Sequence, residues 1–132
     1  MPDVDVVFAL EPATADDLNF IRSSWLRSFA AQVTPTVHIK ARDILIERCP
    51  PIVARQEGLP TSICGWACFE PGVIHYVFVK TRWQRNGIAR MLLEPFLALD
   101  KVFYTHKTRD LWGIKLPEGW IYNPYATMTE AA

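Results

Sequence analysis

A strand, a short basic loop and an amphipathic helix follow one another between residues 73 and 97. Val73, His75, Val77 and Val79 fall on one face of an extended segment, and Ile74, Tyr76 and Phe78 on the other. Both faces are mostly apolar, so the strand is expected to be central and covered on both sides. Ile88, Met91, Leu92, Phe96 and Leu99 then recur at helical spacing. Gly87 stands where the loop becomes the helix. Such a junction gathers backbone N–H groups at the positive end of the helix dipole. Lys80, Arg82, Arg85 and Arg90 surround it, and no carboxylate intervenes before Glu94. The chemistry implied is a pocket for a phosphorylated ligand.

The spacing narrows this further. Gln84-Arg85-Asn86-Gly87-Ile88-Ala89 fits the pattern [Arg/Gln]-x-x-Gly-x-[Gly/Ala] and follows a hydrophobic strand ending Val79-Lys80. It resembles the acetyl-CoA motif of the GNAT superfamily of N-acetyltransferases. It is not a Walker loop, which needs Gly-Lys-[Ser/Thr], nor a dinucleotide fingerprint, which needs three glycines.

At 132 residues with half of them hydrophobic, the chain has the size and composition of one domain with its own core. Residues 1–126 are expected to form it, with 127–132 as a tail. A net formal charge of zero argues against nucleic acid as the main partner. No apolar run approaches membrane-spanning length, and the N-terminal segment lacks the basic and apolar regions of a signal peptide. Cys49, Cys64 and Cys68 make an odd count without paired spacing, which favours thiols in a reducing compartment. Cys64 and Cys68 lie in an apolar stretch and read as small buried hydrophobes rather than metal ligands. The expected location is cytoplasmic, with no metal.

Taken in order, Val4 to Leu10 reads as a first strand ended by Glu11-Pro12. Thr14 and Asp17 have capping-box spacing, and Leu18, Ile21, Trp25 and Phe29 continue as an amphipathic helix. A second helix starts near Pro35, runs to about Arg48 and is stopped by Cys49-Pro50-Pro51. Ile52–Ala54 and Thr61–Phe69 are the next strands, and Gly65 signals a bulge or a close backbone approach. Pro71-Gly72 turns the chain into the strand from Val73, which completes an antiparallel meander. Pro95 predicts a kink or an early end to the third helix. Lys101–His106 is a fifth strand, parallel to the fourth because a helix separates them. Trp120-Ile121-Tyr122 reads as a last strand.

The resemblance implies an α/β (α+β) fold: a mixed, mostly antiparallel central sheet in β-α-α-β-β-β-α-β order, with strands 4 and 5 parallel and splayed. It implies that acetyl-CoA binds as co-substrate, its pantetheine arm bonded to the backbone of Val77, Phe78 and Val79. The pyrophosphate would meet the backbone from Arg85 through Asn86, Gly87, Ile88 and Ala89 to Arg90. Arg82, Arg85 and Arg90 are candidate phosphate contacts, and Gln84 opens the motif. The implied activity is acetyl transfer to a primary amine by direct attack in a ternary complex. The alternative is a non-catalytic GNAT-fold module that binds CoA or another protein.

Direct transfer needs a proton acceptor for the amine, a donor for the developing oxyanion and a route for the departing thiolate. The Val79 N–H is the candidate oxyanion donor. His75 is the first candidate base, His106 the second and Glu70 the third. The family's thiolate-protonating Tyr falls at Lys115 here, so Tyr122 and Tyr125 are the substitutes. Tyr104-Thr105-His106 together with residues 120–125 resembles small GNAT-like proteins of tailed bacteriophages, which would place the chain in a host cytoplasm. The acceptor is a small-molecule or peptide amine. Aromatic residues towards the C-terminus suggest a homodimer.

Overall fold

A computed structural model describes residues 7–27, 35–59, 62–84, 86–105 and 118–123. The elements are β1 (Phe8–Pro12), α1 (Ala15–Arg27), α2 (Pro35–Arg48), β2 (Ile52–Gln56), β3 (Ile63–Glu70), β4 (Val73–Val79), a single 3-10 turn (Thr81–Trp83), α3 (Ile88–Leu92), α4 (Glu94–Leu97), β5 (Val102–Tyr104) and β6 (Trp120–Tyr122). The strands form one six-stranded sheet in sequence order. β1 to β4 pair antiparallel, and β4–β5 and β5–β6 pair parallel. This is the mixed, mostly antiparallel α/β sheet that the sequence led us to expect. No helix among the described residues is long and apolar enough to cross a membrane.

Each face of the sheet carries its own core. On one side Ile21, Trp25, Ile46 and Cys49 pack on Val53, Trp66, Cys68 and Tyr76. On the other, Ile88, Leu92, Leu93 and Phe96 pack on Ala54, Cys64, Ala67, Ile74, Val77 and Val79. The period of two separates Val53 from Ala54 on β2 and Ala67 from Trp66 and Cys68 on β3, while Cys64, at the register shift opposite Ala54 and Arg55, breaks the alternation and joins Ala67. The first core is aromatic. Trp66 stacks on Tyr76 at 4.8 Å between centroids, and Trp25 lies 4.8 Å from the same ring. The buried Trp66 Nε1–H donates to Ser24 Oγ at 2.9 Å, so the indole enters the core without an orphaned donor.

The helices begin and end for the expected reasons. The Thr14 N–H and hydroxyl both donate to the Asp17 carboxylate, at 2.7 and 3.0 Å, which is one half of a capping box. Pro35 occupies the first position of α2, where its missing N–H costs nothing. The third helix breaks as Pro95 dictates: α3 ends at Leu92, Leu93 departs from helical geometry, and α4 restarts with Pro95 in its first turn.

Several details differ from the sequence reading, among them β2, which runs on to Gln56, and β3, which covers Ile63–Glu70. Glu11 and Pro12 belong to β1 rather than ending it, since β1 is an edge strand where proline is tolerated. β5 is short, covering Val102–Tyr104. Strict alternation along β4 fails as well. Cys68 pairs with Tyr76 and Phe69 with Ile74, so His75 is an inserted residue. Consequently Ile74 joins Val77 and Val79 on the α3 face. Tyr76 joins the α1/α2 core, and His75 shares its side, beside Cys49.

Gly65 marks a close approach, as expected. A Cβ there would lie 2.6 Å from the Phe78 carbonyl oxygen and 3.1 Å from Ile88 Cγ2. Its absence lets α3 settle onto β3 and β4. A register shift also lies beside it, between Ala54 and Arg55 of β2.

Candidate functional site

The loop from Lys80 to Arg90 leaves β4 and folds back on it. Lys80 N–H donates to Cys64 O at 2.9 Å, which fixes the alternation of the strand end. Groups of Phe78 and Lys80 face β3, so the N–H groups of Val77 and Val79 are directed to the β5 side. The Gln84 side-chain amide donates to Val79 O at 3.3 Å and ties the loop to the strand. Asn86 Nδ2 donates to the carbonyls of Trp83 and Gln84, both at 3.1 Å. Trp83 meets Phe8 of β1 edge to face at 5.5 Å. The loop is thus closed by amides and aromatic contact.

Gly87 has φ +79°, in the left-handed region, at the head of α3. Nothing lies within 4 Å of the place a Cβ would occupy, so conformation rather than space calls for glycine. The bond from Met91 N–H to Gly87 O opens the helical ladder. The N–H groups of Ile88, Ala89 and Arg90 therefore have no intrahelical acceptor. Arg82 and Arg90 are exposed, with Arg82 at 5.0 Å over the Trp83 ring. Lys80 Nζ lies 4.7 Å over the Phe20 ring. Among the described residues no carboxylate is within ion-pair distance of these three cations. Arg85 lies outside the described residues.

Of the candidate catalytic residues, the structure brings His75 and Glu70 together. His75 Nε2 is 2.5 Å from Glu70 Oε2, and Nδ1 is 3.0 Å from Thr105 Oγ1. Arg48 donates to the same Glu70 oxygen at 2.8 Å, and the Cys49 thiol approaches it at 3.4 Å. An ionised carboxylate only accepts, so His75 carries its proton on Nε2 and Nδ1 accepts from the Thr105 hydroxyl. Burial holds the His75 pKa below the usual imidazole value, although the Glu70 hydrogen bond pulls the other way. The imidazole is 2 % exposed, with both nitrogens engaged. Cys68 Sγ donates to Cys49 O at 3.1 Å. The neighbouring Cys68 and then Arg48 draw the Cys49 thiol down, whereas Cys49 and burial push Cys68 up.

Tyr122 stands apart from this cluster, on β6, 41 % exposed and 5.6 Å from the Tyr104 ring. His106 and Tyr125 lie outside the described residues, as does the tail 127–132. The paired ladder of β4 and β5 covers Val73↔Phe103 and Ile74↔Tyr104. The expected splay beyond it involves residues 106–117, also outside the described set.

Sequence reasoning did not foresee Arg48, Cys49, Cys68 and Thr105 around Glu70 and His75. Cys68 and Glu70 sit two apart on one strand, which was a legible sign of a shared face. The bulge that turns His75 towards them left no such sign. No protein-family model matches the chain, and no curated protein matches it.

Proposed function

We propose that the protein is an acetyl-CoA-dependent N-acetyltransferase of the GNAT type. The observation that carries this reading is Gly87. It is left-handed at the start of a helix that links two parallel neighbouring strands, inside Gln84-x-x-Gly87-x-Ala89. Three supports stand beside it: N–H groups at residues 88–90 without an intrahelical acceptor, cations with no carboxylate partner among the described residues, and open space over Gly87. These features suit a pyrophosphate. The N–H groups of Val77 and Val79, directed to the β5 side, suit an amide-bearing arm laid along the strand.

When bound, acetyl-CoA supplies an acyl group activated as a thioester. The chain's part is to orient it. The Val79 N–H is the candidate donor to the oxygen on which charge develops. The proton of the attacking amine is assigned to water, because His75 has no open nitrogen and Glu70 already accepts from three donors. A thiolate near its ordinary pKa of about 8.5 leaves with little help. Tyr122 is the exposed candidate acid among the described residues.

Release of CoA thiol with a panel of primary amines tests the enzyme reading, and calorimetry with acetyl-CoA tests binding by itself. Binding without turnover would favour the second reading, a non-catalytic CoA-binding module. The internal engagement of His75 and Glu70 is the observation on that side. Ile121 and Tyr122 are exposed on the edge strand β6, which supports association with a second copy.

A further inference from the structure

Cys49 follows the last turn of α2, Glu70 ends β3, and His75 is the bulged residue of β4. Their ligand atoms lie within 4.8 Å of one another. We propose that Cys49, Glu70 and His75 form a zinc site, with the Cys68 thiol, which now donates to Cys49 O at 3.1 Å, as the fourth donor. The inference does not depend on acetyl transfer.

The donor set selects the ion. Calcium and magnesium take oxygen ligands, whereas thiolate, imidazole and carboxylate together suit zinc. The geometry is close to what zinc needs. Bonds of 2.0–2.3 Å in a tetrahedron place ligand atoms roughly 3.3–3.8 Å apart. Glu70 Oε2 to Cys49 Sγ is already 3.4 Å, and Glu70 Oε2 to His75 Nε2 is 2.5 Å. The carboxylate must therefore withdraw from the imidazole by roughly 0.8 Å to admit the ion. The three ligand atoms, now within 4.8 Å of one another, would draw to roughly 3.3–3.8 Å around an ion that displaces the Cys49 and His75 Nε2 protons.

Those protons can be followed. Zinc forms one bond each to sulfur, oxygen and nitrogen. The Cys49 S–H bond breaks and its proton passes to solvent. The His75 proton leaves Nε2, and Nδ1 takes one up. Nδ1–H then donates to Thr105 Oγ1, now 3.0 Å away, as an outer partner that orients a ligating histidine. One proton is released per zinc, or two if Cys68 also ligates. The thiolate and the carboxylate balance the charge of the ion. The Arg48 side chain is 48 % exposed and can turn to the other Glu70 oxygen. The Cys64 side chain lies in the opposite core and is the internal control.

The test uses the full chain under reducing conditions. Cobalt(II) should give one equivalent of a sulfur-to-metal charge-transfer band that zinc abolishes. Zinc should survive gel filtration in citrate and release one or two protons in calorimetry with paired buffers. Cys49→Ala should lose the band and Cys64→Ala keep it. Thr105→Val should weaken zinc binding about ten- to a hundredfold. Absence of the band from the unaltered chain, zinc lost to citrate, or a band unchanged in Cys49→Ala would each overturn the proposal. The first two readouts need no variant, so a variant that fails to fold leaves no ambiguity.

Discussion

Arg55 on β2 grips Asp17 in the first turn of α1 with both terminal nitrogens, Nη1 on Oδ1 at 3.0 Å and Nη2 on Oδ2. The two side chains are 4 % and 8 % exposed, and Arg55 Nε also donates to Glu11 at 3.0 Å. Removing one partner leaves a buried charge alone. Asp17→Ala and Arg55→Ala should each lower unfolding free energy by about 3–5 kcal/mol in urea melts. Losses below about 1 kcal/mol would show that the pair is solvated like a surface one.

The same pair sets an acid limit. Burial pushes the Asp17 pKa up, but bonds from Arg55 and Thr14 outweigh it and leave the carboxyl below its ordinary value. A depressed folded pKa gives stability that is fully present above the unfolded value near ~3.9 and lost as pH falls through the folded one. Thermal melts from pH 5 downward should therefore show stability falling. The Asp17→Asn protein should have a shallower slope than the parent below about pH 4.

Gly87 separates fold from ligand. Gly87→Ala places a Cβ in open space but in a left-handed backbone, at a cost of about 1–2 kcal/mol. If relaxation of the loop relieves that strain, the chain stays folded while acetyl-CoA affinity drops about tenfold. Gly87→Asn should do less harm, since asparagine tolerates this conformation. Unchanged calorimetric affinity in the alanine variant would detach the loop from CoA binding.

Gly65 and Gly119 fail for different reasons. Gly65→Ala presses on backbone and on Ile88, and overpacking of this kind costs about 1–3 kcal/mol. At Gly119, φ is +93° and a Cβ would overlap the Asp100 carbonyl oxygen. Strain adds to overlap there, so Gly119→Ala should cost about 2–4 kcal/mol. Circular dichroism melts of the two variants would rank them, and equal stability would contradict the geometry.

Much of this architecture was legible because its signals are local. Val73–Val79, the Thr14–Asp17 start, the stop at Pro50-Pro51 and the break at Pro95 are each written in a few adjacent residues. The place of Gly87 at the head of α3 was legible for the same reason, although its left-handed backbone was not read from the sequence. The bulge at His75 was not: both faces of that strand are apolar, so an inserted residue leaves no trace in the alternation. The cluster around Glu70 was hidden as well. It joins Arg48, Cys49, Glu70, His75 and Thr105 from separate elements, and only the folded sheet brings them to one oxygen and its neighbour.

The parallel seating of β6 has a kinetic corollary. Val102 N–H is capped by Gly119 O at 3.1 Å, and Asn123 N–H reaches Tyr104 O at 3.0 Å. β5 therefore stays half-paired on the ribosome until the segment through Asn123 has emerged. Any chain cut ahead of Gly119 presents that unpaired margin to its neighbours, an invitation to aggregate that the intact molecule withdraws by laying down β6.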